Sequence, residues 1–293
     1  MIFTKMQGCG NDYVYVDCTD GLQIEDEALV AQKVSDRHFG IGSDGLILIK
    51  KGRVADFEMV MYNADGSRSQ MCGNGIRCVA KYVYDKKITK GREFTIESMG
   101  AVKHITITSG EPGDKTSYAR VDMGKPILQA GKIPVKFDDK FSQAVTVGSK
   151  VIMHPIEIAG TEYKITCVSM GNPHAVVFLD KNPSEFDVCG IGPSFEHNEF
   201  FPERTNTEFA YVADRRTIYM RVWERGTGET LACGTGTCAT VVAAILNGLV
   251  DAGEKITVHL LGGDLEIEWS GNEADSVFMT GPATTVFKGE IEI

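Results

Sequence analysis

Two short segments carry the clearest chemistry in this chain. Cys72-Gly73-Asn74-Gly75 and Cys233-Gly234-Thr235-Gly236 share the pattern Cys-Gly-x-Gly, one in each half of the sequence. Each precedes a stretch rich in Ala, Val and Ile, so each thiol is predicted just ahead of a helix, behind glycines that let the backbone turn tightly. The first-turn N–H groups of a helix have no partner within it and gather positive partial charge. Such a site favours anions. It can hold a substrate carboxylate and draw a nearby thiol from its ordinary pKa of about 8.5 toward working pH. Two facing thiols of this kind suit inversion of a stereocentre. One thiolate removes a proton from a carbon, the opposite thiol delivers one to its other face, and the helix termini stabilise the charge that develops.

Other landmarks keep nearly the same interval as Cys72 to Cys233. The step from Gly10-Asn11 to Gly171-Asn172 equals it, and the step from Gly100 to Gly262 is longer by a single position. Met123-Gly124-Lys125-Pro126 is echoed by Thr280-Gly281-Pro282, and a polar residue, Asn63 or Glu224, stands nine residues before each cysteine. This order predicts two related halves.

The elements that must position the thiols follow from periodicity. Alternation predicts strands in Phe94–Glu97 and Val102–Ile107, and the turn-rich Ser109–Asp114 leads on to Tyr118–Val121 as a hairpin. The second half repeats this with Ile256–Val258, Leu265–Trp269 and Val277–Met279. Helices are predicted over 75–86 and 236–248, the second apolar on nearly every face and therefore buried all round. The expected fold is α/β, an α+β roll of two pseudo-symmetric domains, each a mostly antiparallel sheet wrapped around a central helix. The half-domains are 1–121 with 277–293, carrying Cys72, and 122–276, carrying Cys233.

Composition narrows the function class. The chain has 293 residues, 43% hydrophobic and 24% charged, with 30 basic against 40 acidic side chains and a net charge of −10. That balance fits one large or two ordinary soluble domains and disfavours holding nucleic acid or anionic membrane by charge. Met1–Asp12 lacks the basic flank and apolar run of a secretory signal, and no stretch approaches the roughly 18–20 apolar residues of a membrane span. The eight cysteines are therefore expected as reduced thiols in a cytoplasmic protein. They form no CxxC pair and have no His pair at ligand spacing, so no metal is expected. No lysine stands in a context for a pyridoxal phosphate Schiff base, and no phosphate-cradling G-x-x-x-x-G-K-[ST] loop occurs. No cofactor is expected, so a carbanion must be stabilised by the protein's own dipoles in a site that closes to exclude water. The expected partner is a small-molecule substrate. A homodimer is compatible with the sequence, which contains no feature that specifies one.

At these residues the chain resembles the diaminopimelate epimerases. The signatures are Asn63-Ala64-Asp65-Gly66-Ser67, Met71-Cys72-Gly73-Asn74-Gly75-Ile76-Arg77-Cys78, and Trp223-Glu224-Arg225-Gly226 running to Ala232-Cys233-Gly234-Thr235-Gly236. Gly8-Cys9-Gly10-Asn11-Asp12, Arg37-His38-Phe39-Gly40-Ile41-Gly42, Val168–His174 and Phe201–Asn206 match as well, so the resemblance spans nearly the whole chain. It implies a cofactor-independent epimerase converting L,L-diaminopimelate to the meso form on the route to lysine and peptidoglycan, with its active site in a cleft between the two domains. Carried over residue by residue, Cys72 and Cys233 resemble the two acid/base thiols. Asn11, Asn63, Asn172 and Asn206 resemble substrate-binding amides, and Gly73, Asn74, Glu224, Arg225, Gly234 and Thr235 resemble further substrate contacts. His174 and Glu224 resemble groups that tune the thiols. One departure is that some members carry Gln where this chain has Gly45.

Neutral amides supply donors and acceptors to a zwitterion, and Arg225 can grip a carboxylate with two prongs. Cys78 and Cys238 are expected as core packing, as are Cys9, Cys18, Cys167 and Cys189. His38, His104, His154, His197 and His259 are expected to be surface or structural residues. Two rival readings are a proline or hydroxyproline racemase, against which the Asn63–Ser67 and Trp223–Gly226 signatures argue, and a non-enzymatic redox switch closing a Cys72–Cys233 disulfide.

Overall fold

The computed structural model describes residues 1–69, 72–136 and 149–293. Met71, part of one family signature, lies outside the described residues. The chain divides into two units, Met1–Asp122 with Thr280–Ile293, and Met123–Met279.

Unit 1 runs β1 (Ile2–Gly8), β2 (Asn11–Asp17), α1 (Glu27–Ser35), β3 (Gly45–Lys51), β4 (Phe57–Asn63), β5 (Arg68–Ser69), α2 (Gly73–Asp85), β6 (Glu93–Ser98), β7 (Ala101–Ser109) and β8 (Thr116–Gly124). Strand β1 turns into β2 through Cys9 and Gly10, both at positive φ (52° and 82°). Two such residues in a row give the tight hairpin whose twist matches the strands. Pairing is antiparallel for β1/β2, β3/β4, β4/β5, β6/β7 and β7/β8, and parallel for β2/β3 and β4/β6.

Unit 2 begins with an extra strand, β9 (His154–Ile158), and then repeats the order with β10 (Thr161–Ser169), β11 (Pro173–Phe178), α3 (Val188–Glu196), β12 (Asn206–Asp214), β13 (Thr217–Glu224), β14 (Gly228–Thr230), α4 (Gly234–Leu246), β15 (Lys255–Leu260) and β16 (Gly263–Glu268). Its antiparallel pairs are β9/β10, β10/β11, β12/β13, β13/β14 and β15/β16, and its parallel pairs are β11/β12 and β13/β15. The register is kept as well as the order. Val14 pairs with Leu46 in unit 1 and Ala175 with Thr207 in unit 2, both partners displaced by the interval that separates Cys72 from Cys233. The last strand, β17 (Val277–Glu290), pairs antiparallel with β1 and also with β8. In unit 1 the pairings β17-β1-β2-β3-β4-β6-β7-β8-β17 therefore close into an eight-strand barrel.

The alternation of each strand feeds two layers. In unit 1, Val14, Val16, Leu46, Leu48 and Val60 pack with Val30, Ala31 and Val34 of α1. Their neighbours Tyr15, Ile47 and Ile49 are also buried, because β2 and β3 are covered on both faces. Helix α2 is buried from Gly73 to Val83 and packs on β1, β2 and β7. Helix α4 buries ten of its thirteen residues against β10, β11, β12 and β16. Each Val so placed stabilises by roughly 1.5–3 kcal/mol.

Both central helices start two residues earlier than their periodicity predicts, at Gly73 and Gly234. The cysteine side chain is the cap, which brings the glycines into the first turn. The expected core thiols Cys9, Cys18, Cys78, Cys167 and Cys238 are buried, but Cys189 is exposed beside Glu229 near the start of α3.

Candidate active site

In unit 1, Cys72 has extended backbone (φ −132°, ψ 113°) and its Sγ accepts from Gly75 N at 3.3 Å. The same thiol donates to Asn11 Oδ1 at 3.0 Å. Asn11 cannot swivel freely, because its Nδ2 donates to Asp44 Oδ2 at 2.7 Å. Asp44 in turn accepts from Asp12 N at 3.0 Å and Arg37 Nη2 at 3.0 Å. Buried Lys5 pairs with Asp12 and donates to Gly42 O. Two cations and two carboxylates thus hold one amide with its carbonyl toward the thiol.

Asn63 closes the turn to Ser67 through Nδ2 to Ser67 Oγ and N to Ser67 O, both 2.9 Å. Asn74 is buried and accepts from Arg77 Nη2 at 2.9 Å, while Arg77 also donates to Gly73 O at 3.0 Å and Pro282 O at 3.2 Å. That guanidinium, itself fully buried, fixes the first turn of α2. Position 45 admits no side chain on this backbone. A Cβ there would lie 2.0 Å from Tyr62 O and 2.8 Å from Tyr13 Cε1.

In unit 2, Cys233 caps α4 in the same way (φ −120°, ψ 110°), accepting from Gly236 N at 3.4 Å. Its Sγ lies 3.5 Å from Thr235 Oγ1, which receives Asn172 Nδ2 at 3.3 Å. Asn172 Oδ1 faces His174 Nε2 at 3.0 Å, and His174 Nδ1 lies 2.7 Å from Glu208 Oε1. Glu224, at the end of β13, accepts from Thr230 Oγ1 and lies near enough to the Cys233 thiol for each to shift the other's acidity. Asn206 makes one scaffold bond at each end, Nδ2 donating to Pro173 O at 2.8 Å and Oδ1 accepting from Arg225 N at 2.9 Å, which leaves a second N–H and a second lone pair. The Arg225 guanidinium donates from Nη1 to Glu203 O at 2.9 Å.

The thiol electrostatics correct one expectation. The helix terminus should draw Cys233 toward working pH, yet its pKa stands well above the ordinary thiol range. Burial does most of this, and the carboxylates of Glu224 and Glu208 add to it; the Thr235 hydroxyl and Gly236 N–H pull the other way and lose. Burial likewise raises Glu224, partly offset by its hydrogen bond to Thr230, by His174 and by the Cys233 thiol. The third-position glycines also serve a purpose other than a turn. They are not at positive φ; they make room. A Cβ on Gly75 would meet Ile47 Cδ1 at 2.8 Å, and one on Gly236 would meet Glu208 Oε1 at 2.4 Å.

Sequence patterns do not single out three further residues. Asp44 orients Asn11; its only signal is an acidic residue closing the Gly40–Ser43 loop. Glu208 is a lone carboxylate in the otherwise uncharged Asn206–Ala210 run, where a charge at an inward position is the available clue. Glu196 accepts from Trp223 Nε1 (2.7 Å), Gly226 N (2.9 Å) and Arg204 Nη1 (3.0 Å), clamping the Glu224–Gly226 turn from a distant helix that no spacing connects to it.

Among solved structures, a probable proline racemase from Agrobacterium radiobacter shares this fold, with a TM-score of 0.68 over 100% of this chain and 93% of that one at 13% identity. Cysteine-capped helices in two halves of a racemase-type fold define the class. More specifically, the family model for diaminopimelate epimerase matches residues 3–129 and 166–286. The diaminopimelate epimerase of Agathobacter rectalis is 55% identical over 100% of both chains, and that of Acetivibrio thermocellus is 51% identical over 100% of this chain and 99% of its own. The chain belongs to the diaminopimelate epimerase family of isomerases. No helix among the described residues is long and apolar enough to cross a membrane.

Proposed function

We propose that this protein interconverts L,L-diaminopimelate and meso-diaminopimelate by two-base proton transfer at the α-carbon, with Cys72 and Cys233 as the two bases and no cofactor. The observation that carries the reading is the repeated cysteine-capped helix, built at equivalent positions of two equivalent units. One cysteine, as thiolate, takes the α-proton, and the other, as thiol, returns one to the opposite face. The charge left on the substrate carboxylate is met by first-turn N–H groups at Gly73 and Asn74 or at Gly234 and Thr235, which need no reorganisation as charge builds. Asn11, Asn63, Asn74, Asn172, Asn206 and Thr235 supply donors and acceptors to the zwitterion, and Arg225 pairs with a carboxylate.

Glu224 and His174 tune Cys233. A thiol held protonated beside a raised carboxyl is set up as the proton donor, and the nearby Glu224 gives it a route to reload. Reduced thiols fit a cytoplasmic setting, and the sequence is compatible with a homodimer. The product would feed lysine and peptidoglycan precursor synthesis.

The test places fully reduced protein with L,L-diaminopimelate in deuterated water and follows the α-proton signal alongside chiral analysis. Loss of that signal with appearance of the meso isomer is the expected result. A folded, reduced protein that exchanges no proton would rule the reading out. Turnover of proline or hydroxyproline instead would favour the racemase reading, and no turnover of either would favour the redox switch.

A further inference from the structure

Beneath Cys233 lies a carboxylate to which the two-thiol scheme gives no part. Glu208 is completely buried on β12, with Oε1 2.7 Å from His174 Nδ1 and Oε2 without a hydrogen-bond partner among the described residues. A buried carboxylate with a single hydrogen-bonding partner is costly unless that partner is a cation. The other ring nitrogen faces a second acceptor, Asn172 Oδ1 at 3.0 Å, since the amide's Nδ2 is given to Thr235 Oγ1. With Glu208 ionised, a ring protonated on both nitrogens satisfies both contacts; a proton kept on Glu208 instead leaves the ring neutral.

The consequence reaches the thiol. Thr235 Oγ1 accepts from Asn172, which leaves its O–H and its second lone pair for Cys233 Sγ, 3.5 Å away, where either atom can donate. The carboxylate also borders the helix cap directly, since a Cβ on Gly236 would lie 2.4 Å from Glu208 Oε1 and 3.3 Å from Cys233 Sγ. The titratable groups around this cluster are Glu224 from β13, Cys233 from the α4 cap and the Cys167 thiol from β10. The repeat interval maps His174 onto Tyr13 and Glu208 onto Ile47, so unit 1 has no counterpart of the pair.

We propose that Glu208 is a positioning residue for the Cys233 side of the reaction, holding His174 as an imidazolium so that the ring locks the Asn172 amide and, through it, the Thr235 hydroxyl against the thiol. Its catalytic meaning rests on the two-base reading; the protonation of the ring does not.

The experiment is nitrogen-15 NMR of the histidine rings at pH 7.5, with His174 assigned by its absence in His174→Gln. In the wild-type protein both ring nitrogens of His174 are expected to carry protons. In Glu208→Gln, which keeps the shape and removes the charge, the ring should become neutral, and kcat should fall about tenfold with KM within about twofold. Glu208→Asp, which retains the charge, should keep the imidazolium signal and recover part of kcat. A neutral wild-type ring, with Asn172 turned to donate to Nε2, would overturn the proposal without any variant. So would a folded Glu208→Gln protein with an unchanged ring or near-wild-type kcat. An imidazolium signal in protein that shows no turnover would uphold the ring assignment while sinking the epimerase reading.

Discussion

Cys72 and Cys233 cap helices of equal length at matching points of matching folds, yet the groups behind them differ in kind. Behind Cys72 stands an amide, Asn11, oriented by two cations and two carboxylates that are partly open to solvent. Behind Cys233, itself only 6% exposed, stand two carboxylates and an imidazole, one of the carboxylates fully buried. The repeated scaffold has kept what the backbone does: the cap, the glycine that lets the strand come close, the strand register. It has varied what the side chains do to a proton. Burial, with the carboxylates adding to it, moves the protonation of Cys233 further than the helix terminus does, because a low local dielectric penalises the thiolate. Equal geometry therefore need not mean equal acidity.

Three experiments test how far the two half-sites differ. The largest effect is expected from Cys72→Ala or Cys233→Ala, each of which should reduce epimerisation by at least about 10³-fold with an unchanged circular dichroism spectrum, since each removes a base with no substitute. Full activity in either single variant would end the two-base scheme and with it any contrast between the thiols.

A smaller and asymmetric effect is expected from the cap glycines. Gly236→Ala drives a methyl into a carboxylate tied to His174, and a displacement of that size beside reacting groups costs up to about 10²-fold in rate. Gly75→Ala meets the flexible end of Ile47 at 2.8 Å and lies in ordinary contact with Cys72, its Sγ 3.6 Å away, and should cost a few-fold at most. Equal losses in kcat from the two substitutions would show that the difference between the half-sites has no kinetic weight.

The smallest effect separates thiol titration from unfolding at high pH. Burial pushes the Cys78 thiol, inside α2, up to about 11. From roughly pH 8.5 to 11 the unfolded chain loses this proton while the folded chain keeps it, so stability falls as pH rises, by about 2–3 kcal/mol in all. Urea melts across that range should show the decline, and Cys78→Ala should lessen it by that share, the rest coming from Cys18, Cys167 and Cys233, which burial raises in the same way. An unchanged slope in the variant would assign the alkaline loss to other groups.

Much of this molecule is legible in its consecutive residues. The repeat of the two halves, the two central helices and the strands after them rest on local signals, because glycine turns, apolar periodicity and alternation are short-range patterns. The capping thiols are legible for the same reason: a cap acts within three residues of its own position. The start of each helix is displaced by two residues from its periodicity, since a glycine pair suggests a turn until the cap is seen to place it in the first turn.

What sequence alone determined is therefore the scaffold and its two reactive points. Tertiary structure decided what surrounds those points. Glu208 reaches His174 from a neighbouring strand and acts on Cys233 by its charge, Asp44 reaches Asn11 from across a parallel pair, and Glu196 grips the Glu224–Gly226 turn from a separate helix. None of these partners shares a local pattern with the residue it serves. The acidity of a thiol is a sum over charges and burial in space, and that sum exists only once the chain has folded.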